Sequence, residues 1–170
     1  MSEHDGPKTK APVPYGLPPQ NIEAEESILS AILIDNDALL DVIESLGPED
    51  FYRTAHQKIY EAITDLFDKA EPVDLVTLAN KLKEKGQLEV VGGASYLARL
   101  VDTVPLAVNA RHYAKIVHDK ASLRRLIEKA NAIVKRCFEE RGEAEDVIDF
   151  AESAVFEISE QKARQSFYPL

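Results

Sequence analysis

Apolar residues recur at spacings of three and four along most of the chain. After Asn21, whose amide side chain suits a helix cap, the run IEAEESILSAILI sets Ile22, Ile28, Leu29, Ile32 and Leu33 near one helical face. Glu23, Glu25 and Glu26 then suit the positive end of that helix. Asp35-Asn36-Asp37 breaks it. ALLDVIESL follows, stopped by Gly47-Pro48, and then DFYRTAHQKIYEAITDLFDKA carries a stripe of Ile59, Tyr60, Ile63, Leu66 and Phe67. Its start, Thr54-Ala55-His56-Gln57, fits a capping box, with His56 as a side chain of the first turn. A fourth helix begins near Asp74 and stops at Gly86, a residue without Cβ suited to the left-handed position after a helix. A short one spans residues 94 to 101, and Pro105 closes this part. No run alternates apolar and polar residues long enough for a sheet, although Gln87 to Val91 reads as a short extended piece.

From Leu106 onward the pattern changes. NARHYAKIVHDKASLRRLIEKANAIVKRCFEER contains no breaker before Gly142 and predicts one long helix; EAEDVIDFAESAVFEISEQKAR predicts a second. The fold class is therefore all-α: a small helical globule over residues 21–105 and a long projecting antiparallel helical hairpin over residues 106–165. A helix of about 30 residues is about 45 Å long, whereas a compact globule of this size is roughly 40 Å across, so the hairpin must project. Two helices packed only on each other bury one stripe apiece, which leaves apolar residues over for another chain. Tyr113, Ile116, Leu123, Leu126, Val155 and Ile158 are the candidates for self-association.

Composition narrows the function. With 45% apolar residues the 170-residue chain can build a real core, and residues 1–20, which hold five of its nine prolines, read as a flexible tail. The net charge of −10 argues against a general nucleic-acid or acidic-membrane surface. That charge is unevenly spread. Residues 107–141 carry a net +5 and residues 142–170 a net −5, which favours antiparallel docking of the two helices, while residues 1–106 hold the whole remaining −10. No apolar run approaches a membrane span and no secretory signal is present, so a cytoplasmic location is expected. Cys137 stands alone at an apolar helical position and reads as a small buried hydrophobe, which excludes disulfides and cysteine zinc sites.

Candidate chemistry is sparse. His4, His56, His112 and His118 form no HExxH motif or dense ligand cluster, and the Glu23, Glu25, Glu26 triplet is explained by the helix dipole. Gly92-Gly93 is followed by Ala94-Ser95-Tyr96 and lacks the lysine of a GxxxxGK[ST] phosphate loop. Neither a catalytic site nor a cofactor is expected in this chain. One motif suggests an alternative. DLVTLANKLKEKG with the helix after it has the outline of a DNA-reading helix-turn-helix, with Lys81, Lys83 and Lys85 clustered. Against this, Glu71, Asp74, Glu84 and Glu89 surround those lysines, and ASYLARLV offers no base-reading set.

Six motifs in order carry a resemblance: PPQNIEAEESIL, EDFYRTAHQKIYEAI, PVDLVTLANKL, QLEVVGGASYLARL, VPLAVNARHYAKIV and KASLRRLIEKA. Together they resemble the N-terminal domain of the bacterial replicative DNA helicase, the DnaB family, from Pro18 to about Ala163. The resemblance implies a homo-oligomer in which these domains pair into dimers and form a three-fold collar, a trimer of dimers, on a six-subunit ring. It further implies binding of the C-terminal domain of primase, action of a helicase loader on the ring, and contact with DNA only through the full-length ring. ATP and magnesium would belong to an ATPase domain of RecA type. The chain stops at Leu170 before that domain, with residues 166–170 as the start of a linker, so helicase activity is not expected of it alone. Matching positions make Glu23, Tyr96, Ile127 and Ile133 the candidate primase contacts.

Overall fold

Asn21 does cap the first helix. Its Oδ1 accepts the Ala24 N–H at 3.0 Å, and α1 runs Ile22–Ile34. The computed structural model describes residues 16–102, 109–139 and 142–166. Among these, the remaining helices are α2 (Asp37–Leu40), α3 (Thr54–Asp68), α4 (Leu75–Glu84), α5 (Gly93–Asp102), α6 (Ala110–Glu139) and α7 (Ala144–Ser166), with a short 3-10 turn at Pro48–Asp50 and no strand. The expected all-α class is borne out. Residues 1–15 of the expected tail, Pro105 and residues 167–170 lie outside the described residues.

Several local expectations change. ALLDVIESL supplies only the last three residues of the four-residue α2 before passing into successive turns. The break before it has a second use: Asn36 donates to Val73 O at 2.7 Å and accepts Val73 N–H at 2.9 Å, so its amide pairs with the chain entering α4 as a neighbouring strand would. The capping box at Thr54 does not form. Thr54 is already inside α3, and the Gln57 side chain donates to Phe51 O instead of reaching back to a cap. Asp74 takes the role at α4, where its carboxylate accepts the N–H groups of Val76 and Thr77. Gly86 ends α4 as expected, at φ +67° with Gln87 N–H bonded to Leu82 O. Gln87 to Val91 is a turn, closed by Val91 N–H on Gln87 O and by Gly93 N–H on Leu88 O, and not an extended piece.

The core forms where the stripes converge on α1. Ile28, Leu29 and Ile32 of α1 meet Ile59 and Ile63 of α3, Leu97 and Leu100 of α5, and Ala110, Ala114 and Val117 of α6, all nearly inaccessible to water. Burying a Leu or Ile side chain stabilises by about 1.5–3 kcal/mol, so these positions carry the fold. Leu78 and Leu82 fix α4 through the same cluster. The small side chains on α6, Ala110, Ala114 and Ala121, let it lie close against the globule. Cys137, by contrast, is exposed: it lies where α6 has only α7 beside it, so the expected burial fails.

Tyr60 shows what the core asks of a polar atom. Its ring lies 4.9 Å from Phe51, and its hydroxyl donates to Leu46 O at 3.1 Å. Burial first, then the nearby carboxylates of Asp50 and Glu49, holds the phenol well above its ordinary value of 10.0. Above that ordinary value the unfolded chain loses this proton while the folded chain keeps it. Stability should therefore fall as pH rises above about 10, by up to about 1.4 kcal/mol per pH unit from this group. Urea unfolding between pH 8 and about 11.5 should show the decline, and Tyr60→Phe should flatten it at the cost of about 1 kcal/mol for the lost hydrogen bond.

Candidate protein-interaction site

The site begins with the positive charges of α6. Sequence patterning suggested that they answer the acidic α7, yet several face the globule. Arg111 pairs with Asp41 at 2.7 Å, Arg125 pairs with Asp50, and Arg124 donates to Pro19 O at 2.8 Å and to Asp50 O at 2.6 Å. Pro19, in the expected tail, is thus held against α6. The Arg124 guanidinium also lies 5.5 Å from the Tyr52 ring centroid, and burial holds it below its ordinary value. Asp50 is buried and fully used, since its second oxygen accepts the Gly47 N–H at 2.8 Å. Across the hairpin itself, among the described residues, Lys129 pairs with Glu157 at 2.8 Å, supported by Arg136 stacked 4.3 Å from the Phe150 ring centroid.

Beyond Arg125 the hairpin leaves the globule. Ala154 is buried in α7, and Val147, Phe150, Ala151 and Ile158 are half-buried around it at inner-stripe spacing. The other side stays open. Leu123, Ile127, Val134 and Phe138 recur at steps of four, seven and four on α6, which puts them on one face, and all are exposed, Phe138 by 85%. On α7, Ile148, Val155 and Phe156 are exposed as well. Single apolar residues such as Leu40, Val76 and Val90 are exposed on the globule as well, but here they line up along two packed helices, and a contiguous apolar face of this kind marks a candidate interaction surface.

The expected residues divide between roles. Leu123, Leu126, Val155 and Ile127 lie on the exposed hairpin surface, while Ile133 and Ile158 are half-buried. Tyr113 and Ile116 pack against the globule core, which accounts for their apolar character within one chain. Glu23 is exposed in the first turn of α1. Tyr96 is half-buried on α5, with its hydroxyl 2.6 Å from Nε2 of His56 and 3.3 Å from Glu26 Oε1, and with the Arg99 guanidinium 5.3 Å from its ring centroid.

Sequence reasoning missed Glu25 and His56. Neither is a simple first-turn side chain: both are buried, and Nδ1 of His56 meets Glu25 Oε2 at 2.6 Å. The Glu25 carboxylate also accepts the N–H groups of Tyr52 and Arg53, at the entry to α3. The dipole reading of the acidic triplet is therefore incomplete for Glu25, which lies in the first turn of α1 but binds the backbone just ahead of α3. Glu26 points to the Tyr96 hydroxyl and to Arg53 at 3.6 Å. The signal was present, because Glu25 is in register with Ile28, Leu29 and Ile32, and His56 with Ile59, Tyr60 and Ile63, so each polar residue sits on an apolar stripe.

Among the described residues no group of three or more His, Cys, Asp or Glu side chains could hold a metal ion, and no helix is long and apolar enough to cross a membrane. The helix-turn-helix reading also weakens, since Lys85 is neutralised by Asp65 at 2.8 Å and Glu61 at 3.3 Å.

The architecture is that of a helical interaction domain, a globule bearing a hairpin with an open apolar face. Residues 17–119 match the family described as the DnaB-like helicase N-terminal domain, and the chain belongs to that family. It is 45% identical over 151 residues to the replicative DNA helicase DnaB of Geobacillus stearothermophilus, covering 89% of this chain but 33% of that protein. The crystal structure of the N-terminal domain of DnaB helicase from Mycobacterium tuberculosis superposes with a TM-score of 0.78 at 45% identity, covering 83% of this chain and 99% of that one. A DnaB-like replicative helicase whose structure was described with its interactions with primase gives a TM-score of 0.69 at 27% identity, over 83% of this chain and 31% of that one. The chain thus spans about a third of the full-length helicases it resembles. None of these relatives supports the helix-turn-helix alternative.

The Asp50 junction is open to test. Asp50→Ala removes the partner of Arg125 and frees the Gly47 N–H, so it should destabilise the chain by roughly 2–3 kcal/mol. Lys129→Ala, at an exposed pair, should cost under about 1 kcal/mol. Urea midpoints measured side by side should show this order, and equal effects would contradict the assignment of Asp50 as the hairpin anchor.

Proposed function

We propose that this chain is the collar domain of a hexameric replicative DNA helicase, pairing with its neighbours through the hairpin and recruiting primase to the replication fork. The observation that carries this reading is the exposed apolar stripe of Leu123, Ile127, Val134 and Phe138, which neither the globule nor α7 covers. Leu123, Leu126, Val155 and Ile158 serve subunit pairing, first as dimers and then as a three-fold collar of three dimers. Glu23, Tyr96, Ile127 and Ile133 serve the C-terminal domain of primase. Membership of the helicase family and the primase interactions described for one relative support the reading.

In this arrangement the chain performs no chemistry. It organises the ring and holds the priming enzyme beside it, while ATP, magnesium and DNA are engaged by the ATPase domains of the full-length helicase. A helicase loader acts on the assembled ring, in the cytoplasm. The physical work is hydrophobic docking. Leu123 and Ile127 are each about half exposed, so burying one of them between chains contributes up to about 0.7–1.5 kcal/mol, which is about three- to ten-fold in affinity.

Two measurements separate pairing from recruitment. Sedimentation equilibrium should show self-association of the wild-type chain, and Leu123→Asp should weaken it at least about ten-fold without lowering helix content. Titration with the C-terminal domain of primase should show binding that Ile127→Asp weakens by a similar factor. A wild-type chain that stays monomeric at high concentration contradicts pairing; a chain that assembles yet never binds primase contradicts recruitment.

A further inference from the structure

His56 is wholly buried, and both of its ring nitrogens are engaged, by Glu25 at 2.6 Å and by the Tyr96 hydroxyl at 2.6 Å. Nδ1 faces the Glu25 carboxylate, and Nε2 faces the Tyr96 hydroxyl, which also donates to Glu26 Oε1 at 3.3 Å. The two rings lie nearly parallel, 11° apart with centroids at 6.1 Å. This chain of contacts links α1, α3 and α5. Burial and the Glu26 carboxylate hold the Tyr96 phenol above its ordinary value, so it remains a donor.

The base of the same side chain is fixed by the backbone. A Cβ on Gly92 would stand 2.8 Å from Cβ of Tyr96 and 3.2 Å from its Cγ, and Gly92 has φ +108°. Gly92 therefore lets the chain pass directly beneath the tyrosine, which is then held at its base by Gly92 and at its tip by His56. Packing alone would need neither device, because Leu97 and Leu100 already anchor α5 in the core.

We propose that His56 is a positioning residue for partner recognition, fixing the Tyr96 ring at the globule surface through the Glu25–His56–Tyr96 relay. The proposal rests on primase recruitment as given above and names the residues that set the contact geometry on the globule. Glu25 orients the imidazole, His56 orients the phenol, and the phenol presents its ring with Arg99 above it.

The decisive variant is Tyr96→Phe, which keeps the ring and removes only the hydroxyl. Affinity for primase should fall about five- to ten-fold while the thermal midpoint changes little. The 15N resonance of the His56 Nε2, assigned by its loss in His56→Gln, should move as that nitrogen loses its hydroxyl partner. His56→Gln should weaken binding in the wild-type chain and add almost nothing in the Tyr96→Phe chain, because both act on one contact. Unchanged affinity in Tyr96→Phe, or independent and multiplying effects, overturns the proposal. Should His56→Gln fail to fold, the Tyr96→Phe titration decides alone. Wild-type chain that binds primase and is weakened by Ile127→Asp but not by Tyr96→Phe would remove the positioning role and leave recruitment standing; wild-type chain that does not bind at all would remove both.

Discussion

Burying a carboxylate is costly unless its oxygens meet hydrogen-bond donors or a cation, and this fold is organised around two of them, Glu25 and Asp50. Glu25 projects from the apolar face of α1 and gathers the backbone of Tyr52 and Arg53 with the ring of His56. Asp50, three residues before Arg53, gathers Gly47 and Arg125, while its carbonyl receives Arg124. The segment from Gly47 to Arg53 is thereby tied at both ends. It is this segment that sets where α3 begins and where α6 crosses the globule.

The docking of the hairpin follows. Ala110, Ala114, Val117 and Ala121 bring α6 close to α1, and the arginine pair ends that contact at the level of Pro19. Past that point α6 has only α7 beside it. The exposed pairs there are worth about 0–1 kcal/mol each, so apolar contact around Ala154 must hold the two helices together. One 30-residue helix therefore has an inner part that belongs to the globule and an outer part that does not.

Helix positions and the projecting hairpin were legible in the sequence because both rest on local periodicity and length. Asn21, Asp74 and Gly86 could be read as helix ends for the same reason, since their partners lie within a few residues. The buried network was not read. His56 meets Glu25 across 31 positions and Tyr96 across 40, and no local rule announces such pairs. Its only trace was a polar residue on each apolar stripe, which the helix dipole and a capping box explained too easily. Cys137 was misjudged for a related reason: its apolar spacing was visible, but whether a helix face is covered depends on what stands opposite it. The paired glycines were also ambiguous until Tyr96 was in place, since close backbone approach to a phosphate and to a tyrosine ring ask the same thing of Gly92.

Charge and apolar surface together bear on where copies of the chain can meet. Residues 1–106 hold a net −10, so two globules brought face to face repel each other. The hairpin differs, since the +5 of residues 107–141 and the −5 of residues 142–170 cancel over its length. It is also where Leu123, Ile127, Val134 and Phe138 are left open to water. Low net charge and uncovered apolar area coincide on the same two helices, and association there removes apolar surface from water without bringing like charges together. Part of the positive charge on α6 is already spent on Asp41 and Asp50, which keeps the hairpin aligned on its own globule. The same basic residues thus hold the hairpin to its own globule, and the apolar stripe beyond them stays open to water.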